Sequence, residues 1–221
     1  MKFGQLSPSV CIDAVLANLP LEKAIEIVDS CGIKAFEFWA WWEKDIPRLL
    51  AARDRFEMTI AACCTKFISL TEPGLRNEYI AGLKESIAVA NQLDCPTLIS
   101  QVGDFCLEVP RREQHRSLVD GLRQAAPLLE AANVTLVIEP LNEKVNHPGY
   151  YLIHCDEAFE IIDEVGSPAV KVCFDIYHQQ ISEGNLIPNI LANIDKIGHF
   201  HAAGHWLSLT ADVAPPTQLS L

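Results

Sequence analysis

The sequence predicts an α/β fold of the (β/α)8 barrel type, incomplete at about seven βα units, and three observations carry that expectation. Short β-rich runs alternate with longer amphipathic stretches along the whole chain, as in βα units wound around a parallel sheet. Neither G-x-G-x-x-G nor G-x-x-x-x-G-K occurs, so the phosphate-binding turn that usually follows the first strand of a doubly wound open sheet is missing. No Ser/Gly/Pro-rich linker or low-complexity run divides the 221 residues, which favours one large domain over two small ones.

Seven strands are expected: Ser9 to Ala14, Ala35 to Trp39, Met58 to Cys64, Thr97 to Val102, Thr135 to Leu141, Val170 to Tyr177 and Lys196 to Ala202. Each is a short run rich in β-branched, aromatic or other apolar residues. Helices are expected at Leu21 to Ser30, Lys44 to Phe56, Glu72 to Gln92, Pro110 to Ala132, Asp156 to Val165 and Asn185 to Ile194. Several are opened by Asp, Ser or Pro and closed by Gly or Asn, the residues that start and stop helices.

Hydrophobic residues make up 49% of the chain and charged ones 21%, with a mean hydropathy of +0.14. That excludes disorder and implies a large core. No window approaches the roughly 18 uninterrupted apolar residues of a membrane helix, and Met1 to Gln5 leads into Ser7, Pro8 and Asp13 rather than an apolar leader. A soluble, cytoplasmic protein is expected. The formal net charge of -12 would repel a polyanion, so no nucleic-acid or membrane partner is expected. The basic cluster Arg111, Arg112, His115 and Arg116 is broken by Glu113 and reads as a solvated helix start in preference to a phosphate patch. Eight cysteines without a C-x-x-C pair read as reduced, mostly buried thiols.

In a (β/α) barrel the chemistry sits at the C-terminal ends of the strands. Three late strands end in an ionisable residue preceded by a large apolar one: Ile138-Glu139, Phe174-Asp175 and Phe200-His201. Strand alternation sends Glu139, Asp175 and His201 inward if their predecessors face the helices. A lone buried carboxylate costs several kcal/mol, so something must compensate it, and a divalent cation does this most economically. Two carboxylates and an imidazole form a fairly hard set, suited to Mg²⁺ or Mn²⁺, with Co²⁺ a third candidate; pairing with neighbouring Lys, Arg or amides is the alternative. His178 lies three residues beyond Asp175 and can offer a hydrogen bond to a substrate oxygen. Glu37 is read either as substrate-binding or as a support behind the ligands, and His199 as a satisfied core histidine. Trp39, Trp41 and Trp42 crowd one strand-to-helix loop, as a pocket wall or as a subunit contact. His147-Pro148-Gly149-Tyr150 lies over the mouth, and Cys63 and Cys64 read as core packing.

The runs Val137-Ile138-Glu139-Pro140-Leu141-Asn142, His147-Pro148-Gly149-Tyr150-Tyr151-Leu152, Phe174-Asp175-Ile176-Tyr177-His178-Gln179 with Glu183-Gly184, and Lys196-Ile197-Gly198-His199-Phe200-His201 closely resemble hydroxypyruvate isomerases. These belong to the xylose isomerase-like TIM barrel superfamily, and the resemblance runs from about Cys11 to Gly204. It implies that Glu139 is a catalytic, metal-binding glutamate, that Asp175 and His201 bind the metal, and that His178 is both catalytic and in contact with the substrate oxygen. His147, Glu37 and Trp39 are the further substrate-binding candidates. His201 matches the ketose 3-epimerases, whereas some hydroxypyruvate isomerases carry glutamine there. The epimerases' second glutamate after I-E-x-x-N falls on Val145, which argues against a ketohexose epimerase.

The activity implied is a metal-dependent isomerisation of a small α-hydroxycarbonyl compound or sugar through an enediolate. After Gly204 the family motifs stop: residues 1–204 are expected to form the barrel and 205–221 a tail outside the family pattern. Asp212, the one carboxylate after Asp195, sits in no matching motif, so the second catalytic glutamate is missing and weakened activity is expected. A catalytically impaired metal- or sugar-binding barrel, or a truncated gene product, is the alternative. An abasic-DNA phosphodiesterase would need more metal ligands and a basic groove. A homo-oligomer is an expectation from family analogy alone.

Overall fold

The structure, a computed structural model, describes residues 6–204 and the main-chain course of Gln218–Ser220. All seven expected strands form: β1 (Ser9–Cys11), β2 (Ala35–Phe38), β3 (Thr59–Cys64), β4 (Thr97–Ser100), β5 (Thr135–Ile138), β6 (Val170–Asp175) and β7 (Ile197–Ala203). Each pairs with the next in parallel. The gap between β7 and β1 is filled by Gln218–Ser220, β8, which runs antiparallel to both and closes the barrel. The tail thus reaches the seam that seven parallel strands leave open. Residues 1–5, 205–217 and 221, Asp212 among them, lie outside the described residues.

The helices are α1 (Ile12–Val15), α2 (Leu21–Ser30), α3 (Ile46–Arg55), α4 (Arg76–Gln92), α5 (Arg111–Ala132), α6 (Cys155–Val165), α7 (Ile176–Ser182) and α8 (Leu186–Asn193). Their ends have local causes. The Asp45 side chain accepts a hydrogen bond from the Arg48 N–H at 3.1 Å and caps α3. α5 stops at Asn133 and α6 at Gly166, both left-handed. Five strands stop short of their expected ends: β2 ends at Phe38, β4 at Ser100 and β5 at Ile138, where the chain turns into the loops at the mouth, and two others end for a visible local reason. The first strand stops at Cys11 because Ile12 opens α1, and the sixth stops at Asp175, whose carboxylate accepts the His178 N–H and starts α7 at Ile176. Ile176 and Tyr177 have strand-forming side chains, but the cap outweighs that preference.

The strand faces divide as alternation requires. Phe36, Phe38, Leu98, Leu136, Ile138, Val172 and Phe174 are buried among the helices, and Phe200 packs beside them. Each such side chain contributes about 1.5 to 3 kcal/mol in burial. Ala62, Cys64, Ile99, Val137 and Cys173 form a separate small cluster within the barrel, under its mouth. Six of the eight cysteines are buried and none is disulfide-bonded. Arg111, Arg112 and Arg116 fall on the exposed start of α5, where Arg111 pairs with Glu157 at 2.6 Å and His115 with Glu164 at 2.8 Å. Among the described residues no helix is long and apolar enough to cross a membrane.

The loops after β4 and β5 are stitched together at the mouth. Tyr150 Oη accepts the Val102 N–H at 2.8 Å and donates to the Glu139 carbonyl at 3.1 Å. Beside it Gly103 has φ +104°, and its carbonyl accepts the Tyr151 N–H at 3.1 Å. A Cβ there would stand 2.9 Å from the Ser69 Cα, so Gly103→Ala combines a strained backbone with a clash against main chain. We expect it to lower the unfolding free energy by about 2 to 4 kcal/mol in urea titrations, with the slope unchanged.

Candidate active site

The C-terminal ends of the strands surround a cavity of about 450 Å³. Trp39, Phe67, Ile99, Leu141 and Tyr177 give it apolar walls, and Gln101, Glu139, Asn146, His147, His178 and His201 supply the polar groups. Five of the candidates from sequence therefore line one cavity: Glu139, His178, His201, His147 and Trp39. Of the three tryptophans only Trp39 does so, 44% exposed. Trp41 turns toward α4 and donates to Ser86 Oγ at 3.1 Å, while Trp42 meets Phe67 edge-on. Asp175 and Glu37 are buried below the cavity surface.

His201 is the hub. Its Nδ1 lies 2.6 Å from Glu139 Oε1 and 3.8 Å from Asp175 Oδ2, and its Nε2 lies 3.2 Å from Glu37 Oε2. Register brings these groups together, because Asp175 on β6 sits directly opposite His201 on β7. Irregular pairing falls beside the site twice, between Phe36 and Glu37 on β2 and between Val172 and Cys173 on β6; such bulges re-aim side chains at strand ends. Burial penalises the charge on Glu139, but His201 outweighs it and holds the carboxyl below its ordinary range. Burial likewise penalises charge on His201, and the ionised, hydrogen-bonded Glu139 outweighs that and raises the imidazole well above its ordinary value. Burial pushes the Cys173 thiol up, keeping it protonated.

The donor set fits a divalent cation. Glu139, His201 and Cys173 bring ligand atoms within 4.8 Å of one another, as do Glu37, His199 and His201 beneath them; Asp175 Oδ2 stands 3.8 Å from His201 Nδ1, and no lysine or arginine lines the cavity among the described residues. Cys173, buried beside Glu139 and His201, adds a soft donor near the same point; a cation would have to displace a proton from His201 Nδ1 or from the buried thiol, and the imidazolium is the more acidic of the two, which leaves oxygen and nitrogen as the ligands.

His178 is held differently. Its Nδ1 accepts the Asn142 backbone N–H at 3.1 Å and the Asn142 side-chain amide at 2.6 Å. The orientation of that amide is fixed because Asn142 Oδ1 accepts from the Val145 and Asn146 N–H groups at 2.9 and 3.3 Å. With Nδ1 an acceptor, the proton of the neutral ring resides on Nε2, making His178 a hydrogen-bond donor. His147 stacks beside it at 5.3 Å between ring centroids; burial, which disfavours the charged ring, pushes the His147 imidazole down. Asn142 and Tyr150 are the contributors that sequence reasoning passed over. Both stood inside the motifs, but their roles are hydrogen bonds to residues far along the chain.

Comparison with known proteins gives the following. The sequence profile of the xylose isomerase-like TIM barrel family matches residues 25–214. Hydroxypyruvate isomerase of Escherichia coli (strain K12) is 31% identical over 191 residues, covering 82% of this chain and 72% of that protein. A 2-oxo-tetronate isomerase of Cupriavidus necator is 30% identical over 132 residues, covering 60% of this chain and 50% of that protein. In fold, the crystal structure of an AP endonuclease, family 2, from Brucella melitensis matches with a TM-score of 0.84 at 22% identity, covering 90% of this chain and 80% of that one.

The His201 shift has a testable sign. A group raised above its unfolded value of 6.5 contributes stability that is full below that pH and lost as pH rises through the folded value. In chelator-treated protein the unfolding free energy is expected to fall above pH 6.5, with a slope approaching about 1.4 kcal/mol per pH unit. His201→Gln should flatten that limb, as urea titrations at several pH values will measure.

Proposed function

The chain belongs to the xylose isomerase-like TIM barrel family, and from that membership we propose that it is a divalent-metal-dependent isomerase of a small α-hydroxycarbonyl compound or sugar, hydroxypyruvate being the first substrate to try. The observation that carries this reading is one cavity lined by both a carboxylate held below its ordinary range, Glu139, and an imidazole, His178, whose Nδ1 accepts a backbone N–H and whose Nε2 is therefore the donor. Relatives named hydroxypyruvate isomerase and 2-oxo-tetronate isomerase support the same class of reaction.

Aldose-ketose isomerisation moves a proton between adjacent carbons through an enediolate. Its barrier falls when negative charge on the two oxygens is stabilised and a base stands over the carbons. Glu139, kept ionised by His201, is proposed to take the proton from the hydroxyl-bearing carbon and return it to the neighbouring carbonyl carbon, while the hydroxyl proton passes to the former carbonyl oxygen. His178 Nε2–H steadies that oxygen as it gains charge. Glu139, Asp175 and His201 are the proposed ligands of a divalent cation, Mg²⁺ or Mn²⁺ by the hardness of the set. When bound, such an ion supplies Lewis acidity at the substrate oxygens. Trp39, Leu141 and Tyr177 exclude water, and His147 is a further proposed donor to substrate.

Purified protein with Mn²⁺ is expected to convert hydroxypyruvate to tartronate semialdehyde and to exchange the transferred hydrogen with solvent deuterium. Glu139→Gln, which keeps shape and removes the base, should cut turnover by roughly 10² to 10⁴; His178→Gln should lower kcat by a smaller factor. Wild-type protein that shows neither turnover nor deuterium exchange with Mn²⁺, Mg²⁺ or Co²⁺ would sink the proposal.

A further inference from the structure

The geometry points to Glu37 as a positioning residue that clamps His201 from beneath, so that the imidazole presents Nδ1, and not Nε2, to the cation site at the barrel mouth. The clause on the cation rests on the proposed reading of Glu139, Asp175 and His201 as ligands. Glu37 itself lies on β2 and is absent from the cavity lining. It is 2% exposed, too deep to touch substrate.

Both of its oxygens have partners inside the barrel. Oε2 lies 3.2 Å from His201 Nε2, Oε1 lies 3.2 Å from His199 Nε2, and the Ser9 hydroxyl donates to Oε1. The rings of His199 and His201 stand nearly perpendicular, at 86° with centroids 5.1 Å apart. A buried carboxylate with these neighbours acts as an acceptor, so His201 Nε2 must carry the proton. A ring rotation that put Nε2 at the mouth would give up that bond and leave a buried charge short of a donor. Nδ1 therefore remains the nitrogen aimed at Glu139 and Asp175. A carboxylate on the far nitrogen fixes the orientation of a metal-binding histidine and raises its basicity. Ser9 and His199 in turn hold the carboxylate, which makes a chain of four groups from β1 and β2 to β7.

The test is Mn²⁺ affinity by calorimetry together with nitrogen-detected NMR of His201 in the chelator-treated protein. Wild type should show a slowly exchanging proton on His201 Nε2. Glu37→Gln should lose that signal and weaken Mn²⁺ binding by roughly 10- to 100-fold. Ser9→Ala, which keeps the carboxylate and removes only one of its donors, should keep the proton and weaken binding less; near-ultraviolet circular dichroism confirms that each variant is folded. Glu37→Gln with wild-type affinity, or a wild type without the Nε2 proton, overturns the proposal. A wild type that binds no Mn²⁺ yet has an Nε2 proton that Glu37→Gln removes supports the positioning role and fails the cation reading alone.

Discussion

A buried imidazole held between buried carboxylates is the constraint on which the upper half of this barrel depends. His201 is within 4 Å of three carboxylates from three different strands or strand ends. Each acid taken alone would carry a desolvation penalty of several kcal/mol, so the set is stable only when complete. That couples side chains to backbone. The pairing of Asp175 with His201 across β6 and β7 must be in register, and a one-residue slip would turn the acid or the base toward the helices. The irregular pairing on β2 and β6 falls beside residues of this set, where a regular strand would point the side chain elsewhere.

Much of this was legible from sequence because it follows from period alone. Phe-Asp and Phe-His at strand ends announce that one partner packs against helices and the other faces the axis, and Phe174 and Phe200 do pack there. The length of the sixth strand was not legible. Ile176 and Tyr177 have side chains that suit a strand, and only the three-dimensional cap of Asp175 on the His178 N–H shows that the helix has begun. Glu37 was legible as an inward acid but not as a partner of histidines more than 160 residues away. Asn142 illustrates the same limit: its amide serves a ring 36 residues further on, and no local pattern records that.

Two histidines that line the cavity meet opposite surroundings. His178 meets donors at Nδ1, which leaves Nε2 as its donor. His201 meets acceptors at both nitrogens and is held toward its charged form. One fold thus supplies a hydrogen-bond donor and an ion-pair partner from the same residue type, through the polarity of what lies behind each ring.

The reversed eighth strand bears on how the chain folds. β1 through β7 are built by neighbours in sequence, each strand pairing with the next after one crossover. The pairing of Ser9 with Ser220 joins the two ends of the chain, and its loop-closure entropy is the largest of any contact in the barrel. Three residues make that seam. Closing that seam therefore carries the highest entropic cost of any strand pairing in the barrel. Ser9 belongs both to this seam and to the hydrogen-bonded chain under His201, so one residue ties the closure of the barrel to the candidate site.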